Sequence, residues 1–224
     1  MPVSPRQPDR QSEGPGRGAL VRSRAARAVT GVLSEGSRLE DGLDYQGLGR
    51  KDRALLRELA TGTVRWGMRL EPLLDRLLDR PLPSREAMVR SLLLVGLYQL
   101  AHTDIPAYAA VSSTVGGVPG EKRWARRLVN GVLRRFGREA EARLREVDAL
   151  GPAIRTAHPQ WLVDRLAAAF PDCWEGVLQA DNRAPPLSLR VRGDRESYLE
   201  ELEKAGIAAS AMAWVPKGVR LAGF

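Results

Sequence analysis

Cysteine and histidine are almost absent from this 224-residue sequence, which has one Cys and two His. A single thiol, Cys173, excludes an intramolecular disulfide framework and a cysteine-rich zinc site. No cation or glycine-rich loop adjoins it, so it is more typical of a small buried apolar residue than of a catalytic nucleophile. His102 and His158 are too far apart in sequence to indicate a metal site. We therefore predict no catalytic residue and no metal ligand.

Long apolar runs are also missing. The longest, Leu92–Ala101, is far too short to span a bilayer. The first 18 residues contain no apolar segment of the kind that a signal peptide requires. These absences predict a cytoplasmic protein with no membrane partner. A chain of this length can bury about 70% of its unfolded surface, so it can form a core without metals or disulfides.

Positive charge is present in excess, and it is concentrated in one segment. The chain carries 35 Lys+Arg against 27 Asp+Glu, a net charge of +8. Glu121–Arg138 has seven cations and one anion, so this segment alone contributes +6. A localised patch of this kind indicates a polyanionic partner, whereas an even scatter would mainly aid solubility.

Apolar periodicity predicts helices throughout the first two thirds of the chain. Ser23 is expected to cap the first helix, and Met88–Leu100 is apolar on nearly every side, as in a central, surrounded helix. Tyr108, Val111 and Val115 share the apolar side of a later helix. Because no segment before residue 151 alternates with period 2, this block is predicted to be all-α.

The pattern changes after residue 151. Leu187–Arg192 alternates apolar and polar residues, which predicts a half-buried strand. Ser197–Ala205 is predicted to be helical, and Val215–Val219 is expected to form two short strands joined by a turn. The fold class is therefore mainly all-α, with a helical bundle followed by a small, incomplete α/β unit.

Composition divides the chain into three expected regions. Residues 1–20 are rich in Pro, Gly and Arg, which predicts a disordered tail. Residues 21–150 form the all-α domain. Residues 151–224 form a helical linker and a partial α/β subdomain.

The segment Lys122–Arg138 is predicted to be an amphipathic helix with one basic face. On a wheel that advances about 100° per residue, its arginines oppose the apolar side chains, and Asn130 lies among the arginines. The candidate RNA-binding residues are Lys122, Arg123, Arg126, Arg127, Asn130, Arg134 and Arg138, together with Arg24 and Arg27 on the outer face of the first helix. Guanidinium groups can bind phosphates bidentately, and an amide can contact a base edge or a 2′-OH. The alternative is a solvated helix face, but acidic i, i+4 partners are nearly absent from this one.

Tryptophan offers one further candidate contact to RNA. Trp124 lies at the boundary between the apolar and basic faces, where it could stack on a base. Trp66, Trp161 and Trp174 keep apolar helical spacing and are predicted to pack in the core.

Several motifs resemble a known RNA-binding family. The chain is similar to the NusB-like domain, in the form that begins the RsmB-type rRNA cytosine-C5 methyltransferases. The motifs, in chain order, are LVGLYQL at 94–100, Ile105-Pro106 with Ala109–Val111, LVNGVLR at 128–134, HPQWL at 158–162 and NRAPPLSLRV at 182–191.

The resemblance implies a helical domain of two packed three-helix groups that docks on ribosomal RNA. It also implies methylation that uses S-adenosylmethionine and a cysteine nucleophile, which the family places beyond the last residue of this sequence. We therefore expect no cofactor site on this chain, and RNA docking without methyl transfer by the chain alone.

Two alternatives stay open. A stand-alone NusB-type transcription antitermination factor would bind RNA and a protein partner, but it would not be expected to carry residues 158–192. A plain helical scaffold would have no role with nucleic acid.

Overall fold

The computed structural model describes residues 16–183 and 185–222. This part of the chain contains eleven α-helices and one three-stranded antiparallel sheet. The expected fold class, mainly α with a small α/β unit, is therefore confirmed. The described residues form two compact units, one that ends at Pro171 and one that begins at Asp172. This division falls later in the chain than the composition change after residue 150.

The first unit contains nine of the eleven described α-helices. They are α1 (Arg17–Glu35), α2 (Leu39–Gly42), α3 (Arg50–Arg65), α4 (Gly67–Leu77), α5 (Ala87–His102), α6 (Ala107–Gly116), α7 (Ala125–Asp148), α8 (Pro152–Arg155) and α9 (Gln160–Ala169). Short 3₁₀ turns at Ser84–Glu86 and Gly120–Lys122 precede α5 and α7. None of the described helices is both long and apolar enough to cross a membrane.

The helix α5 is the centre of this unit, as its sequence predicts. It packs against α1, α3, α4, α6 and α7. Its side chains from Leu92 to Leu97 are almost entirely buried on every side, because a helix without a polar face is stable only when neighbours surround it.

The first helix begins earlier than predicted. It starts at Arg17 after the N-cap Gly16, so Ser23 lies inside the helix rather than at its cap. The extra turn is stable because Ala19 and Val21 are buried. The tail predicted over residues 1–20 therefore extends too far, because residues 17–20 are helical. Its first 15 residues lie outside the described part of the chain.

The helix α7 differs from the prediction at both ends. It begins at Ala125, so Lys122 belongs to the preceding 3₁₀ turn. It then continues to Asp148 through a stretch of mixed charge, where Arg143 pairs with Glu139 at 2.7 Å. Pairs at this spacing support a helix whose exposed face has few apolar residues.

The second unit combines two helices with the sheet. Its described elements are α10 (Trp174–Asp181), β1 (Ser188–Arg190), α11 (Arg195–Lys204), β2 (Ala209–Ala211) and β3 (Gly218–Leu221). The strand order is β1-β3-β2, with Leu189 opposite Val219 and Ser210 opposite Arg220. The helix α11 packs on β2 and β3 around a small core of Leu202, Val219 and Leu221.

Three local predictions in the later part of the chain are wrong. The two short strands expected within Val215–Val219 are not observed. The strand before β3 is β2, Ala209–Ala211, and residues 212–217 connect these two strands. Trp161 is 61% exposed rather than in the core, and Cys173 is exposed. Helical spacing alone did not show that α9 leaves Trp161 uncovered.

Candidate nucleic-acid interface

The apolar face of α7 is fixed against the bundle. Val129, Leu133 and Phe136 are fully buried. Leu133 packs against α5 at Gly96, where an added Cβ would lie only 2.7 Å from both Leu133 methyl carbons. This close packing holds the opposite face of α7 at the surface.

The exposed face of α7 as far as Arg138 carries the arginines that the sequence predicts, together with Arg123, two residues before the helix. We call this surface the ridge, and it comprises Arg123, Arg126, Arg127, Asn130, Arg134 and Arg138. All five arginines are exposed, and Asn130 is half-buried. Arg123, Arg126, Arg127 and Arg138 form no ion pair with any residue that the structure describes. Their guanidinium groups are therefore available to an external anion.

The two remaining members of the ridge contact each other. Nε of Arg134 donates a hydrogen bond to Oδ1 of Asn130 at 3.1 Å. Within the described residues, Nδ2 of Asn130 has no partner, so the amide can still donate outward.

Lys122 has a carboxylate partner. Its Nζ lies 2.6 Å from Oε2 of Glu86, and its side chain is only 22% exposed. The expectation that Lys122 offers a free cation is therefore corrected. The sequence did not indicate this pair, because Glu86 is 36 residues away.

Arg24 is also engaged within the fold, while Arg27 has no ion pair or side-chain hydrogen bond with the residues that the structure describes. Nε of Arg24 lies 3.2 Å from Oδ2 of Asp44, and its NH1 group donates to the backbone carbonyl of Gln46 at 2.6 Å. Arg24 thus holds the loop before α3. Arg27 is exposed on α1, and α1 packs against α6.

Two aromatic side chains lie exposed beside α7. Trp124, the expected stacking candidate, immediately precedes α7 and is 53% exposed. Tyr108 of α6 is 79% exposed, although the sequence predicts it on the apolar side with Val111 and Val115. No sequence signal distinguished Tyr108 from these neighbours, because its exposure follows from how α6 packs against α7.

Two family models match different parts of the chain. Residues 20–138 match the NusB family. Residues 158–224 match the ferredoxin-like domain described as Methyltr_RsmF/B-like.

Curated relatives carry both regions. The chain is 45% identical over 204 residues to ribosomal RNA small subunit methyltransferase B of Pseudomonas putida, covering 88% of this chain and 47% of that protein. It is 38% identical over 207 residues to the protein of the same name from Proteus mirabilis, covering 90% of this chain and 49% of the relative. The chain thus spans about half the length of the curated relatives it matches.

A solved structure shows the same fold at low sequence identity. The crystal structure of PH0851 matches with a TM-score of 0.55 and 14% identity, over 96% of this chain and 50% of that one. The fold and the two family matches together define a NusB-type helical bundle followed by a ferredoxin-like unit. The chain belongs to the NusB family. Its resemblance to the NusB-like and linking regions of the RsmB-type methyltransferases is confirmed.

Proposed function

We propose that the ridge binds ribosomal RNA, as the substrate-docking surface of an rRNA cytosine-C5 methyltransferase. The observation that carries this proposal is the set of exposed arginines of which four have no ion-pair partner among the described residues. Phosphates can bind such groups without first breaking an internal ion pair, and the release of condensed counterions from RNA favours binding. This role implies a cytoplasmic protein.

The ferredoxin-like match over residues 158–224 supports a methyltransferase rather than a stand-alone antitermination factor. The names of the relatives support small-subunit rRNA as the substrate. A protein partner is not part of this proposal.

S-adenosylmethionine would be the methyl donor of the whole enzyme. The described residues do not fit this cofactor, because their sheet is antiparallel and contains no strand–glycine loop–helix unit of the kind that binds it in Rossmann-like domains. We therefore assign RNA docking to these residues and derive no methyl-transfer step from them.

Arg127→Ala tests the proposal directly. We expect about a fivefold loss of affinity for a small-subunit rRNA fragment, because an exposed charge-assisted contact contributes about 1 kcal/mol. Fluorescence anisotropy with a labelled fragment measures the affinity.

Arg57→Ala is the matched control. Arg57 lies on α3, and it is also exposed and without an ion pair in the described part of the chain. Its removal should change the affinity less than twofold. Equal losses in the two variants would mean that only net charge matters, and would contradict a specific role for the ridge.

A further inference from the structure

The strand β2 lies at an edge of the described sheet, because the strand order is β1-β3-β2. Two backbone hydrogen bonds to the neighbouring chain flank it. The N–H of Met212 donates to the carbonyl of Gly218 at 2.9 Å, and the N–H of Ala222 donates to the carbonyl of Ala208 at 2.8 Å. An antiparallel ladder bonds at every second residue. The residue of β2 that bonds to β3 is therefore Ser210.

The backbone groups of Ala209 and Ala211 consequently point away from β3. They present two donors and two acceptors, and no strand of the described residues pairs with them. Residues 207–214, with the sequence IAASAMAW, include neither a charged side chain nor a proline. Natural sheets commonly use such residues to protect an exposed edge against further pairing. The edge of β2, although short, is therefore open to an added strand.

A groove of about 630 Å³ lies between this edge and α11. Leu199 and Ile207, both half-buried against the core of the unit, line it. Glu200 and Glu203 of α11 also line it and are exposed. Their carboxylates form no ion pair with any residue that the structure describes. Among the described residues, no Lys or Arg lines the groove, so its charge is negative.

The register of the sheet shows which side chains of an added strand would enter the groove. Ala209 lies opposite Leu221 and Ala211 lies opposite Val219, and both of these partners belong to the core beneath α11. Every second residue of a strand lies on the same face. An added strand would therefore direct alternate side chains towards α11, and the small side chains of β2 leave room for them.

The charge of the groove selects the occupant. Its carboxylates would repel RNA phosphates, so the groove does not extend the ridge. Antiparallel pairing of β2 with a second copy about a twofold axis would place both α11 helices on the same side of the joined sheet. Glu200 and Glu203 of the two copies would then face each other, and like charges disfavour such pairing. A strand that carries Lys or Arg would instead be attracted.

We propose that an extended, basic segment of another protein adds to the edge of β2 as a further strand. One of its apolar side chains would pack against Leu199 and Ile207, and its Lys or Arg side chains would pair with Glu200 and Glu203. This gives the second unit a role in protein binding that does not depend on RNA binding by the ridge.

The probe is a seven-residue peptide with blocked ends, in which Lys, Val and Lys alternate with Ser so that the three share one face of a strand. A matched peptide has Glu in place of both Lys residues. Isothermal titration calorimetry with the 224-residue chain measures the affinity. We expect the Lys peptide to bind, and the Glu peptide to bind at least about tenfold more weakly.

Charge reversal locates the peptide. Glu203→Lys should weaken binding of the Lys peptide about tenfold and should strengthen binding of the Glu peptide. Glu201→Lys is the matched control, because Glu201 is exposed on the same helix but does not line the groove. It should change either affinity less than twofold. Equal effects of the two variants would contradict binding in the groove.

Hydrogen exchange tests whether the peptide forms a strand. The Lys peptide should slow exchange of the amides of Ala209 and Ala211 and leave that of Ser210, which already bonds to β3, unchanged. Ala211→Pro removes one outward N–H without removing a bond to β3, and proline is tolerated at such edge positions. It should weaken binding of the Lys peptide about fivefold.

Three results would overturn the inference. The first is no binding of the Lys peptide at millimolar concentration. The second is binding that leaves exchange at Ala209 and Ala211 unchanged, since the peptide would then contact only the acidic side of α11. The third is protection of these amides that grows with protein concentration without peptide, which would identify a second copy as the occupant. None of these results bears on RNA binding by the ridge.

Discussion

His102, the last residue of α5, has an ionisable side chain in an unusual environment. Its ring stacks on Trp66 with centroids 4.1 Å apart and on Tyr98 at 5.6 Å. Nε2 is buried and has no hydrogen-bond partner in the described residues. Burial, followed by the positive charge of Arg69, lowers the pKa of His102 to about 4. Arg69 itself is held by Asp148 through two hydrogen bonds of 2.8 Å.

This pKa predicts a pH-dependent loss of stability. The unfolded chain takes up a proton at His102 below about pH 6.5, whereas the folded chain does so only near pH 4. Stability is therefore fully present above pH 6.5 and declines as the pH falls towards 4. Between pH 8 and pH 5 we expect this residue to cost at most about 2 kcal/mol, because the ring is only partly buried.

The measurement is urea unfolding of the native chain and of His102→Phe at both pH values. Phenylalanine keeps an aromatic ring between Trp66 and Tyr98 but cannot titrate. The variant should lose less stability than the native chain on acidification, and equal losses would assign the pH dependence to other groups.

Two glycines should respond to alanine in opposite ways. An added Cβ at Gly62 of α3 would overlap the ring of Tyr98, whose hydroxyl donates to Glu58 at 2.5 Å. At Gly131, inside α7, an added Cβ would have no neighbour within 4 Å in the described residues. Gly62→Ala should therefore lower the free energy of unfolding by about 1–3 kcal/mol. Gly131→Ala should raise it by about 0.5–1 kcal/mol. Chemical denaturation measures both, and a stable Gly62→Ala protein would show that Tyr98 can move aside.

Among the elements, α7 has two segments with different electrostatics. The segment up to Arg138 carries the ridge, and it contains no carboxylate. Beyond Arg138 the arginines are paired within the helix, as in Arg143 with Glu146 at 3.0 Å and Arg145 with Glu141 at 2.8 Å. Only the arginines of the ridge can offer their charge to RNA without competition from a carboxylate of the same helix.

The salt dependence of RNA binding should reflect this difference. If the five arginines of the ridge contact phosphates, the logarithm of the binding constant should fall with the logarithm of salt concentration with a slope of about −4. Arg138→Ala should reduce the size of this slope by about 1. Arg145→Ala, which removes a paired guanidinium from the same helix, should leave it unchanged. Titrations at several salt concentrations decide the matter, and a slope near zero would refute phosphate binding by the ridge.

Sequence patterns predicted the helices better than their ends or their partners. The all-apolar sequence of α5 was a reliable signal because its side chains are buried in the core on every side. The start of α1 was missed because Gly16 caps it without a side-chain hydrogen bond. The strand Ala209–Ala211 was missed because its small residues show no apolar alternation.

The predicted site shows the same limit. Helical periodicity placed the five arginines and Asn130 on one exposed face of α7. It did not reveal that Lys122 pairs with Glu86 or that Arg24 pairs with Asp44, because these contacts join residues distant in sequence. The cavity beside the start of α7 was also beyond prediction, since it exists only where α1, α6 and the start of α7 come together.

On the scale of the whole molecule, the two units differ greatly in the size of their cores. The first unit buries many large side chains completely, including Leu56, Leu92 and Phe136. The described core of the second unit centres on Leu202, Val219 and Leu221. Small cores contribute less stabilisation per residue.

We therefore expect the second unit to open first. Native-state hydrogen exchange should show that the amides of β3 lose protection at lower urea concentrations than those of α5. Loss of protection in both elements at the same urea concentration would contradict this and would indicate a single cooperative unit.

The packing of α1 also affects how the chain folds during translation. This helix contacts α3, α5 and α6, and α6 ends only at Gly116. At about 5–20 residues per second, translation from Glu35 to Gly116 takes about 4–16 s. Throughout that interval the apolar stripe of Val21, Ala25 and Val29 has no completed core to enter. We expect the nascent chain to display this stripe outside the exit tunnel, where a chaperone can shield it until its partners emerge.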